Sequence, residues 1–135
     1  MYEENAVLHP LCTRRSVRSY NSTKPVEQEK IHAVLTAGQY APTGMNRMPT
    51  KFVVIRNPEM LHQLSKQNAE IMGAADRDPF YGAPVVLVVL ADKSRPTYLY
   101  DGSLVMGNLM LAAHSLGLGS CWIHRAKETF EREEG

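Results

Sequence analysis

The stretch from Tyr98 to Leu116 constrains the fold most. Leu104, Val105, Met106, Leu109, Met110, Leu111, Ala112, Ala113 and Leu116 make a helix over this span apolar around most of its circumference. Such a helix has little to offer water, so it is expected to be buried. Residues 85–90 form an unbroken apolar run rather than an alternating one, which predicts a central strand covered on both faces. Gly117 and Gly119 follow the long helix and are expected to close it with positive φ angles.

The remaining elements follow from periodicity and punctuation. Residues 5–15 predict a short helix that begins at His9 or is distorted there, because Pro10 removes a donor and favours a first turn. Ile31, Val34, Leu35 and Gly38 recur with helical spacing between Pro25 and Pro42, giving an amphipathic helix over 26–41. Residues 51–56 are β-branched and aromatic and read as a strand. Asn57 then caps a helix with Pro58 in its first turn, Leu61, Leu64 and Ile71 inward and a stop near Gly73. Residues 76–84 are polar and turn-rich, 120–123 resume in extended form, and 127–134 predict a charged terminal helix. Helices fall between nearly all strands, so the expected architecture is helix on sheet on helix in three layers.

At 135 residues the chain has room for one core, and the expectation is a single domain over 1–135. Fifteen basic against fourteen acidic residues leave a net charge of +1, too little field to hold nucleic acid or an anionic membrane surface. The run 85–91 is far shorter than the about 18 residues of a membrane span. An acidic start without an apolar run after it, and two cysteines without a C-x-x-C pair, predict a cytoplasmic protein with free thiols. Cys12 and Cys121 fall in segments that read as buried, hence inert.

Several chemistries find no support. There is no phosphate-binding G-x-x-x-x-G-K-[ST], no G-x-G-x-x-G after a strand and no G-x-S-x-G. No two of the five histidines stand three to five residues apart, so no metal site is expected. Three segments do stand out. Arg14, Arg15, Ser16 and Arg18 concentrate guanidiniums and a hydroxyl within residues 14–18. This is either a local anion site or a solvated basic face paired with Glu3, Glu4 or Glu27. Residues 41–49, with Pro42, Thr43, Gly44 and Asn46, form either a loop that presents backbone to a planar ligand or a plain connection between helix and strand. In residues 117–124 the lone Trp122 reads as core and His124 as a polar group at a strand end.

In this order and spacing the three segments resemble the FMN-dependent nitroreductase family over nearly the whole chain. The resemblance implies an α+β, three-layer α-β-α FMN-binding fold in an intertwined homodimer, with two FMN sites across the interface. Arg14, Arg15 and Ser16 then match contacts to the flavin phosphate and ribityl chain, and Arg18 a basic residue at the pyrimidine end. Pro42, Thr43, Gly44 and Asn46 match a loop that packs on the flavin from the other subunit. Asn68 matches an amide at the pyrimidine edge. Cys121, Trp122, Ile123 and His124 match a backbone strip near flavin N5.

The implied activity is ping-pong hydride transfer from NADH or NADPH through FMN to a nitroaromatic, quinone or similar small acceptor. The hydride step needs no side-chain acid or base, so no catalytic residue is implied, and neither a metal, nucleic acid nor a membrane is involved. The alternative is a flavin-binding or catalytically inactive truncated paralogue that acts as a dimerising module. The chain departs from the family pattern at Met48, where Gln is common, and at Thr50, where an aromatic is frequent. The family's last strand, its Gly-Tyr-Pro turn and a C-terminal basic residue have no counterpart before Gly135, which implies a domain incomplete at its C-terminus.

Overall fold

Two helices and a hairpin-like sheet build the core, and in each the apolar spacing of the sequence decides which face turns inward. A computed structural model describes residues 3–132. In order these form α1 (Leu8–Thr13), α2 (Gln28–Gln39), a 3-10 turn (Gly44–Asn46), β1 (Thr50–Ile55), α3 (Pro58–Ile71), β2 (Val86–Ala91), α4 (Tyr98–Ser115) and α5 (Ala126–Phe130). The fold is α+β. Ile31, Val34 and Gly38 bury one face of α2 against α4. There Val34, Ala41, Val105, Leu109 and Ala113 form the central cluster, joined by Phe52, Leu87 and Val89 from the sheet. Gly38 permits this approach: a Cβ there would lie 2.7 Å from Leu109 Cδ2 and 3.0 Å from Phe52 Cζ.

β1 and β2 pair antiparallel, from Thr50 opposite Ala91 to Ile55 opposite Val86. Phe52, Leu87 and Val89 face the cluster, while Ile55 and Val88 on the opposite face are also buried, so both faces are covered at this end. The expected central position of β2 is corrected, however. Among the described residues the sheet has only these two strands; β2 is an edge strand, and Leu90 is exposed. An unbroken apolar run reports that both faces of a strand are apolar, not how many neighbours it pairs with. The free side of β2 borders a cleft of about 790 Å³, lined among others by Ile31, Met106, Met110 and Trp122.

The long helix is likewise only partly enclosed. Val105, Leu109 and Ala113 are buried, but Tyr100 and Leu104 on the opposite side are exposed, and a Cβ at Gly107 would meet nothing within 4 Å. Tyr100, Leu104 and Gly107 follow helical spacing and are exposed, so among the described residues an outward stripe of α4 stays uncovered, with half-buried Leu111 at its end. No helix of the described residues is long and apolar enough to cross a membrane.

Smaller differences have local causes. α1 covers only Leu8–Thr13 of the expected span 5–15, and just before it Asn5 Oδ1 accepts from the N–H groups of Val7 and Leu8 at 2.9 Å. Cys12, expected in a buried segment, is exposed: no residue of this short helix is buried. Gly117 has φ +76, as expected of a helix stop, but Gly119 has no positive φ. A Cβ at Gly119 would lie 3.0 Å from three carbons of Val17, so this glycine serves close approach instead. The terminal helix is shorter than predicted, Ala126–Phe130, and the last two positions of the predicted span lie outside the described residues.

Candidate functional site

The basic segment leaves α1 in extended form and is fastened to the strip that follows α4. Arg14 caps α1 with φ −55 and ψ 134. Ser16 then pairs in parallel with Ser120, and Val17 N–H donates to the Ser120 carbonyl at 3.0 Å. Gly119 makes this possible by carrying no side chain toward Val17. Of the predicted extended strip 120–123, only Ser120 makes a sheet-like bridge, so the segment is a single contact rather than a strand. Tyr20 closes the arrangement: its hydroxyl donates to the Val17 carbonyl at 2.6 Å and its N–H to the Tyr81 carbonyl at 3.3 Å. Burial pushes the Tyr20 hydroxyl up to about 12, helped by Cys121 and Tyr81 and opposed by Arg18, so it stays a donor at neutral pH.

The guanidiniums are differently employed. Arg15 Nη1 donates to the carbonyls of Cys12 and Arg14 at 2.9 Å, satisfying orphan acceptors at the end of α1. Arg18 is exposed. Arg14 Nη1 is buried and has no hydrogen-bond partner. Among the described residues none of the three forms an ion pair, and Glu27 pairs with Lys30 at 3.4 Å instead. The paired basic face is therefore not what the segment builds. Ser120 Oγ, absent from the predicted site, is also buried and unpartnered, and its place between two glycines and Cys121 was the only signal for it.

Trp122 is 42% exposed, which corrects its reading as core: it stands over the cleft with its ring edge to His124, centroids 6.2 Å apart. His124 is exposed, Cys121 and Ile123 half-buried. Asn68, on α3, is 1% exposed, and neither its amide nitrogen nor its oxygen has a partner. Leaving such a group unpaired inside costs about 1–3 kcal/mol. The turn-rich loop after α3 is ordered by Asp78, whose carboxylate accepts from Ser65 Oγ at 2.6 Å, Phe80 N–H at 2.9 Å and Gly82 N–H at 2.6 Å.

The loop with Pro42, Thr43, Gly44 and Asn46 lies elsewhere. Gly44 N–H donates to Asp101 Oδ1 at 2.9 Å, in the first turn of α4, whereas residues 117–124 leave its other end. At about 1.5 Å of rise per residue from Asp101 to Gly117, the two segments stand roughly 24 Å apart along the axis. One chain therefore brings 14–18 and 117–124 together and does not bring the 42–46 loop to them. That loop is strained: Met45, Asn46 and Met48 have φ of 54, 53 and 47, the left-handed region, which costs a residue other than glycine about 1–2 kcal/mol. Asp101 was not foreseen, although it is the only charged residue between Tyr98 and Ala113. Among the described residues no group of three or more His, Cys, Asp or Glu is placed to hold a metal ion.

A basic segment clamped to the strip after an apolar helix, with a second loop at the far end of that helix, defines a two-part site on an α+β scaffold. The Nitroreductase family model matches residues 11–129, and the chain belongs to that family. It is 37% identical over 120 residues to a Methanothermobacter thermautotrophicus protein that carries an NADH dehydrogenase/NAD(P)H nitroreductase name, covering 86% of this chain and 59% of that relative. It is 29% identical over 126 residues to the iodotyrosine deiodinase of Thermotoga neapolitana, covering 79% of this chain and 67% of that protein. The crystal structure of a nitroreductase with bound FMN from Bacteroides fragilis superposes with a TM-score of 0.88 at 30% identity, covering 96% of this chain and 75% of that one. The chain thus spans about three fifths of the length of the first of these relatives.

Proposed function

We propose that this chain, a single domain acting as a homodimer in the cytoplasm, binds FMN and passes hydride from NADH or NADPH through it to a nitroaromatic, quinone or similar acceptor. The observation that carries the reading is the set of unpaired polar groups in segments 14–18 and 117–124: buried Arg14 Nη1 and Ser120 Oγ, with no carboxylate of the described residues on any of the three guanidiniums. Guanidiniums without acidic partners suit a phosphate, which accepts bidentate, charge-assisted hydrogen bonds. The residues present therefore fit FMN. Arg14, with Ser16 beside it, would hold the phosphate end, and exposed Arg18 would face the ring. The unpaired amide of Asn68 supplies the donor and the acceptor that a pyrimidine edge needs. Arg15, already bonded to two carbonyls, keeps its remaining N–H groups for the ligand. When bound, FMN supplies hydride transfer at N5, with donor and acceptor occupying the same place in turn by a ping-pong scheme.

The homodimer rests on the outward stripe of α4 and on the distance between the two parts of the site. Loop 42–46 reaches a flavin held by Arg14 only from another subunit. The test is the visible spectrum of the purified chain with added FMN, followed by anaerobic NADH and then NADPH. A bound-flavin band that bleaches with a nucleotide and recovers with menadione or nitrofurazone supports the reading, and Arg14→Ala and Arg18→Ala then release FMN. Unchanged flavin content in both variants removes the site assignment. Flavin bound but never reduced by either nucleotide makes the protein a binding module instead.

A further inference from the structure

We infer that Asp101 is a positioning residue: from the first turn of α4 its buried carboxylate sets the shape of the loop at 43–48, and thereby completes the flavin site of the other subunit. This inference rests on the FMN reading above. Asp101 is 3% exposed; Oδ1 accepts from Gly44 N–H at 2.9 Å and Oδ2 from Thr97 Oγ at 2.8 Å. Among the described residues it forms no ion pair, so these two donors are the partners of its carboxylate. The loop has a conformation its sequence does not favour, with Met45, Asn46 and Met48 all at positive φ. Its other hydrogen bonds are internal: Met48 N–H to Thr43 Oγ at 3.1 Å, Asn46 N–H to the Thr43 carbonyl at 3.0 Å and Arg47 N–H to the Gly44 carbonyl at 3.2 Å. Among the described residues the bond to Asp101 is thus the polar tether between residues 43–48 and the rest of the fold. Gly44 lies flat on the threonine that Asp101 orients: a Cβ there would collide with Thr97 Oγ and stand 3.1 Å from Thr97 Cβ.

Because the loop is at the far end of α4 from Arg14, its ordering is felt in a site assembled across the dimer. The test compares Asp101→Ala with Asp101→Asn, which retains the shape and an acceptor for Gly44 N–H. Without flavin, trypsin cleavage after Arg47 is expected to accelerate in Asp101→Ala, whose cooperative thermal unfolding shows that it still folds, and to stay near the native rate in Asp101→Asn. FMN affinity, read from quenching of flavin fluorescence, is expected to fall about tenfold or more in Asp101→Ala and to be largely restored in Asp101→Asn, as for a buried N–H left without its acceptor. Mixed dimers decide the direction of action. Pairing an Asp101→Ala chain with an Arg14→Ala chain leaves one site with an intact Arg14 and an intact loop, so one tight FMN per dimer is expected where neither homodimer has any. Mixed dimers that regain no tight site place any effect of Asp101 within its own subunit and overturn the inference. A response of FMN binding to Arg14→Ala with none to Asp101→Ala overturns Asp101 alone. A native chain that binds no FMN, or an Arg14→Ala variant that binds it normally, overturns the flavin reading, and this role falls with it.

Discussion

Replacing Leu104 by Glu tests whether the outward stripe of α4 is the surface on which two chains meet. Leu104 is 49% exposed in the single chain. Burying a leucine side chain fully is worth about 1.5–3 kcal/mol, so its exposed half is worth about 1 kcal/mol. A two-fold interface uses the position twice, making the loss about 2 kcal/mol before any cost of burying two carboxylates. At 1.4 kcal/mol per decade, dimerisation should weaken at least about 30-fold. The monomer should be unharmed, because the position is on a helix surface and glutamate is a good helix former. Sedimentation equilibrium gives the dimer constant and far-UV circular dichroism checks the fold. FMN binding should be lost at concentrations where the variant is monomeric and return as the concentration is raised, since the proposed site takes a loop from the second chain. A Leu104→Glu protein that dimerises normally removes the stripe from the interface. One that is monomeric and still binds FMN normally shows that a single chain holds the whole site.

Three further outcomes test the fold beneath the site. Gly38→Ala puts a methyl 2.7 Å from Leu109 Cδ2 near the end of α2; overpacking of about 1–3 kcal/mol outweighs a helix-propensity gain below about 1 kcal/mol, and urea unfolding should show net destabilisation. Asn57→Ala removes the side-chain bond from Met60 N–H, 3.0 Å long, that caps α3, and should cost about 1 kcal/mol in the same assay. Burial alone would raise the carboxyl of Asp78, but hydrogen bonds from Ser65, Phe80 and Gly82, with the charge of His62, outweigh it and hold it below the usual range. Its contribution is therefore complete above the unfolded value of about 3.9 and is lost as pH falls through the lower folded value. The stability gap between the native chain and Asp78→Asn should be constant near neutrality and close on acidification, and a gap that does not change with pH would contradict this.

What could be read in the sequence divides by the range of the physics involved. α2 and α3 were legible because their signals are local: apolar spacing at Ile31, Val34 and Gly38, and a capping Asn57 followed by Pro58. The basic segment stood out for a chemical reason, three guanidiniums within five residues of a nearly neutral chain, but taken alone it was open between an anion site and a solvated basic face. Interactions between distant residues were not legible. Nothing near Gly44 announces that its N–H meets a carboxylate 57 positions away, and nothing near Gly119 announces Val17.

Two of the misreadings share one cause. The apolar run of β2 and the apolar circumference of α4 were both read as burial, and neither pattern says what supplies the cover. An 18-residue helix, roughly 27 Å long, needs neighbours on every side to be enclosed. Here α2 and the sheet pack against the side that carries Val105, Leu109 and Ala113, while Tyr100 and Leu104 stay exposed. Among the described residues nothing covers that other side, and in the proposed homodimer a second copy would do so. The same helix that displays this stripe separates the 42–46 loop from Arg14. If two copies join along it, the surface left over from folding and the missing part of the flavin site are supplied by one event.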